Sequence, residues 1–117
     1  MAGPDVATLE GFAELVRDAM DALPEWLAPY LAELSIQVDE VGPLGEEDLY
    51  GVFDGSSLEV DGVAELPPVI TVYRRALVED FGDDRRELER QVQITVAHEL
   101  AHLFGFSEAQ LDVLGYG

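Results

Sequence analysis

The 117-residue chain has two histidines, and they stand four apart in His98-Glu99-Leu100-Ala101-His102. On an α-helix, residues four apart lie one above the other on nearly the same face. The pair can therefore offer two imidazoles to one metal ion. Glu99 falls about 100° around the helix from His98 at 3.6 residues per turn. Its carboxylate then sits beside the ion, placed to take a proton from water that the metal activates. Gly105 stops such a helix in the left-handed conformation and lets the chain turn back. Glu108 is the next side chain with good metal-binding chemistry. Two histidines and one carboxylate, with a fourth position open to water, form a catalytic zinc set. Asp112 lies one helical turn beyond Glu108. We assign Glu108 as the third ligand and Asp112 to the outer shell, where it would orient a histidine through its second ring nitrogen.

Composition narrows the chemistry further. The chain has no cysteine, so disulfides and thiolate metal sites are excluded and a metal must use histidine, carboxylate and water. Its 117 residues suffice for one domain, expected over residues 1–117. Hydrophobic residues make up 48%, as in a globular protein. The net charge is -19, from 25 acidic residues against six basic ones, all arginine. Such a surface repels nucleic acid and anionic lipid and keeps the chain soluble. No apolar run reaches the ~18 residues of a membrane span. Met1-Ala2-Gly3-Pro4-Asp5 lacks the basic start of a signal peptide, so a cytoplasmic location is expected.

The motif needs elements to position it. Asp84 caps a helix predicted over residues 85–104, with Glu87 in capping-box spacing. Leu88, Val92, Thr95, Val96 and Leu103 give this helix its packing side. Ser107 and Gln110 form a second capping box for a short helix over 108–114, with Leu111 and Leu114 turned inward. Upstream, Asp5 or Thr8 can cap a helix over 6–23, followed by another over 25–34 that Pro29 kinks or restarts. Strands are predicted over 36–41, 49–53 and 69–73, the last being rich in β-branched residues. Asp54-Gly55 reads as a turn, residues 56–67 as strand edge or irregular loop, and residues 77–81 as a short turn of helix. Val69–Tyr73 reads equally as an edge strand that could pair with an extended peptide or as an interior strand. Tyr73 and Tyr116 are the tyrosines considered for oxyanion stabilisation.

With these residues in view, the chain resembles the bacterial minimal zincin-like metallopeptidases, short single-domain zinc peptidases. The resemblance runs through Gly51-Val52-Phe53-Asp54-Gly55 and Leu66-Pro67-Pro68-Val69-Ile70-Thr71-Val72-Tyr73-Arg74-Arg75. It continues over His98 to Gly105, then Leu111, Asp112, Leu114 and Gly115. It implies a small α+β fold: a short mixed sheet packed on the motif helix, with N-terminal helices. It also implies one zinc per chain, His98, His102 and Glu108 as ligands, Glu99 as base, and a peptide or protein as substrate. Metzincins share the motif spacing but place histidine or aspartate where Glu108 stands, and they have a methionine turn downstream. Here the methionines are Met1 and Met20. With nine residues after Glu108, no second lobe walling a cleft is expected.

Peptide hydrolysis is therefore the leading expectation, by a monomer or weak oligomer. The alternative is a metal-stabilised interaction module with little or no turnover. The spacing also resembles an rRNA-maturation endoribonuclease family. There the third ligand is histidine and no acid follows the first histidine, so Glu99, Glu108 and the acidic charge argue against it.

Overall fold

In a computed structural model, residues 3–54, 59–60, 63–64 and 68–115 are described, with backbone only at 59–60, 63–64, 108, 113 and 114. Helix α1 (Leu9–Asp21) opens the fold. A 3-10 turn over Glu25–Leu27 leads into the single helical turn α2 (Ala28–Leu31). Strands β1 (Ser35–Asp39) and β2 (Gly51–Asp54) follow. The two-residue strands β3 (Glu59–Val60) and β4 (Val63–Ala64) form a separate antiparallel pair. Strand β5 (Val69–Tyr73) runs directly into α3 (Arg74–Phe81), and α4 (Arg85–Phe104) and α5 (Glu108–Leu114) complete the order.

The main sheet has the order β1-β5-β2. β1 is parallel to β5, with Ser35 opposite Val69 and Asp39 opposite Tyr73. β2 is antiparallel to β5, with Gly51 opposite Val72 and Asp54 opposite Val69. The strand considered as a possible edge is thus the central one. Ile70, Thr71, Val72 and Tyr73 are all buried, so both faces of β5 are covered. A strand buried on two faces reads as an unbroken apolar run, which Val-Ile-Thr-Val-Tyr is. Its one polar member is satisfied, because Gln37 Nε2 on β1 donates to Thr71 Oγ1 at 3.0 Å.

Helix α4 packs against α1, α3, β5 and β2, which makes it the centre of the fold. Leu88, Val92, Val96, Ala97, Leu100 and Ala101 form its buried side, with Phe12, Leu15 and Leu77 among their core companions. Helix α1 closes the sheet at β1. Its cap is Thr8, whose Oγ1 accepts from the Gly11 N–H at 3.0 Å, so the helix starts later than residue 6. The result is a small α+β domain with a short mixed sheet packed on α4, as the sequence predicts. The Asp54-Gly55 turn and most of residues 56–67 lie outside the described residues.

Candidate metal centre

The ends of α4 follow from side-chain chemistry. Asp84 Oδ1 accepts from the N–H groups of Arg86 and Glu87 at 3.0 and 3.3 Å. The expected return bond from Glu87 is replaced. The Asp84 N–H already donates to the Phe81 carbonyl at 3.2 Å, and the Glu87 carboxylate accepts from Gln91 Nε2 at 2.8 Å. Gly105 ends the helix with a φ of 78°, a left-handed value that glycine adopts without strain. The next box forms in full: Ser107 Oγ accepts from the Gln110 N–H at 3.1 Å, and Gln110 Oε1 from the Ser107 N–H at 2.7 Å.

Between these ends, His102 stands on the exposed side of α4, whereas His98 and Glu99 are each partly buried. A depression of 320 Å³ is lined by His98, Glu99, Ile94 and Thr95 from the helix and by Tyr50 and Gly51 from the start of β2. His98 is half-buried on its wall. His102, one turn on, is 73% exposed, while Glu99 is 20% exposed. Glu99 Oε2 lies 3.8 Å from His102 Nδ1, beyond hydrogen-bond range. Gly51 permits the close approach of strand and helix. A Cβ at that position would stand 2.7 Å from Thr95 Cγ2 and 2.9 Å from the Thr71 carbonyl oxygen.

The structure thus brings His98, Glu99 and His102 together along one helical turn. The Glu108 side chain lies outside the described residues, as do Tyr116 and the side chain of Leu114. Among the described residues no three His, Asp or Glu side chains form a metal-holding group. Asp112 is exposed on α5, and Leu111 is buried. Tyr73 is buried at the end of β5; burial first, then Asp39 and Glu46, push its phenol pKa up. The tyrosine in the depression is instead Tyr50, which pattern reading passes over. Its hydroxyl donates to Asp80, and its ring meets Phe81 at a centroid distance of 5.6 Å. The Asp80 hydrogen bond foremost, then burial, and then the charges of Asp80 and Asp48 raise its pKa to about 12. Tyr50 is therefore a protonated donor across the working range. Its only local signal was the neighbouring Gly51.

The donor set fits zinc. Two imidazoles one turn apart on the open side of a helix, a carboxylate beside them and no thiolate in the chain match a two-histidine site. A helix bearing such a pair, packed under a three-stranded mixed sheet, is the arrangement that the zincin-like resemblance implies. The family profile for zincin-like metallopeptidases matches residues 31–116, about three quarters of the chain, and the chain belongs to that family. A comparison with curated protein sequences finds no match. Membership brings zinc, and peptides or proteins as substrates, as the family's general chemistry. Among the described residues no helix is long and apolar enough to cross a membrane.

Proposed function

We propose that this protein is a zinc peptidase in which His98, His102 and Glu108 hold one metal ion and Glu99 is the general base. The observation that carries the reading is the depression beside β2. It joins a half-buried histidine, a partly exposed carboxylate and the edge of the sheet in one place. When bound there, zinc would polarise a carbonyl and lower the pKa of water toward ~7. Glu99 takes the proton of the attacking water on its carboxylate and returns it to the leaving amine.

Among the described residues β2 has a strand partner on one side only. Its other side is where an extended peptide would add as a further strand, with main-chain pairing setting its register. Gly51, at the start of β2, would bring that peptide against the His98 turn. Glu99→Gln keeps the side-chain shape and removes the proton acceptor. We expect it to retain zinc and to lose hydrolysis by at least ~100-fold, the lower range for general-base catalysis. A peptide library digested by wild type and by Glu99→Gln, and read by mass spectrometry, makes the comparison. Equal background in both digests would leave a metal-stabilised interaction module as the better reading. Loss of zinc from the variant would make Glu99 a ligand instead.

A further inference from the structure

The turn that joins α4 to α5 rests on a cluster of rings. The N–H groups of Gly105 and Phe106 both donate to the Ala101 carbonyl, at 2.8 and 3.1 Å. Phe106 then packs edge-on against Trp26, with centroids 5.6 Å apart, and against Tyr30 at 5.1 Å. Tyr30 also meets Phe104 at 4.8 Å. Phe104 lies about 200° around the helix from His102 at 100° per residue. The rings therefore stand behind the histidine stripe and do not line the depression. Trp26 and Tyr30 also precede residue 31, where the family match begins.

Trp26 does little for the core. It is 44% exposed, whereas its neighbour Leu27 is 2% exposed and belongs to the core cluster. What Trp26 touches is Tyr30 and the turn at Phe106. Two residues beyond Phe106 the chain enters α5 at Glu108. The far end of α5 is held separately, by buried Leu111 and by Arg90 Nη2 donating to the Gly115 carbonyl at 2.7 Å.

We propose that Trp26 and Tyr30 are positioning residues for the metal centre. By clamping Phe106 they fix where α5 begins, and so where Glu108 stands relative to His98 and His102. This rests on the reading of Glu108 as third ligand. Metal–ligand distances in a well-formed site fall within ~0.2 Å of their standard values, so each ligand must stand in a defined place. A turn that is already ordered spares zinc binding the entropy of ordering it. Removing the clamp defers that ordering to the binding step and weakens the metal.

The test is zinc affinity by chelator competition for wild type, Trp26→Ala, Glu108→Ala and the double variant, alongside the Tm of each metal-free protein. We expect Trp26→Ala to weaken zinc by ~10- to 100-fold, the range for losing an outer-shell partner. Its metal-free Tm should stay near wild type, Trp26→Phe should restore affinity, and Tyr30→Leu should weaken it. The double variant should bind no more weakly than Glu108→Ala, because both changes act through one ligand. Wild-type affinity in Trp26→Ala would overturn the proposal. So would an equal loss in both backgrounds, which would show that Trp26 acts through the histidines or through general stability. Wild-type affinity in Glu108→Ala alone would remove the third-ligand reading, and the proposal with it, whatever Trp26→Ala does. Should Trp26→Ala fail to fold, Tyr30→Leu decides, because it removes the other ring that holds Phe106. Wild-type zinc affinity in that variant would overturn the clamp.

Discussion

Two depressions of nearly equal volume lie at opposite edges of one sheet. The one at β1 measures 340 Å³ and lies between that strand and α1, with Val16, Met20, Ile36 and Val38 on its walls and Arg17, Asp21 and Gln37 among its polar members. The one at β2 measures 320 Å³ and holds His98 and Glu99. Size does not separate them. What separates them is which helix closes each edge. Helix α1 offers alanine, valine and methionine to β1, so that depression is an imperfectly filled seam of the core. Helix α4 turns its polar side toward β2, and Gly51 lets the strand come close to it. Chemistry at the second edge thus comes from the rotation of one helix and the absence of one Cβ.

The largest effect that sharpens this contrast is on the metal. His98→Ala should lower zinc affinity by more than the ~100-fold that loss of an outer-shell partner can cause, since it removes a ligand outright. Arg17→Ala, at the other edge, should leave zinc binding unchanged. Chelator competition on both variants, with elemental analysis of wild type, measures the difference. One zinc per chain surviving in His98→Ala would mean that the two depressions do not differ in metal chemistry.

A smaller effect is expected on stability. In Gly51→Ala the added Cβ meets Thr95 Cγ2 and the Thr71 carbonyl, so strand and helix must part. Overpacking of this kind costs about 1–3 kcal/mol. Arg17→Ala, an exposed change, should stay within ~0.5 kcal/mol of wild type. Denaturant midpoints of the two variants give the comparison. Adding Thr95→Ala to Gly51→Ala should recover part of the loss. It cannot recover all of it, because the Thr71 contact is with backbone. Full recovery would show that the sheet does not resist the change.

How much of this could be read from the chain differs by element. Helix α4 was legible to the residue, because an aspartate cap, an apolar stripe and a left-handed glycine all mark the same span. The bounds of β5 were legible too, and so was the Ser107–Gln110 box. Helix α3 was half-seen. It starts at Arg74 straight after the strand, and Tyr73 gives it no side-chain cap, so no local signal marks its start. Pro29 divides the expected second helix, and the short α2 holds it in its first turn, where its missing N–H costs nothing. The strand order was not legible, because pairing partners are set by packing between residues far apart in the chain. That is also why Tyr50 escaped notice. Its place beside His98 exists only once β2 has docked on α4.

The smallest effect concerns Tyr50, and it tests whether the rim of the β2 depression is held by a hydrogen bond or by ring packing alone. Tyr50→Phe keeps the ring against Phe81 and removes only the proton donated to Asp80. At neutral pH the loss should be within ~1.5 kcal/mol, the low end for a hydrogen bond to a carboxylate, because this bond is exposed to solvent. The pH dependence is more telling. The phenol is raised from 10.0 to about 12 in the folded protein, chiefly by the bond to Asp80. Below pH 10 the phenol is protonated in both the folded and unfolded chains, so its contribution to stability is fully present. Between pH 10 and 12 the unfolded chain releases the proton while the folded protein keeps it, and stability falls as pH rises. Tyr50→Phe has no such proton to lose. The stability advantage of wild type should therefore shrink across that window, in denaturant midpoints taken at steps of pH. Phenolate absorbance offers an independent check, since one of the four tyrosines missing from the variant should be a late-titrating one. Parallel stability curves through pH 12 would mean that Asp80 does not hold the Tyr50 hydroxyl. The rim of the depression would then owe its shape to the Tyr50–Phe81 contact and to Gly51.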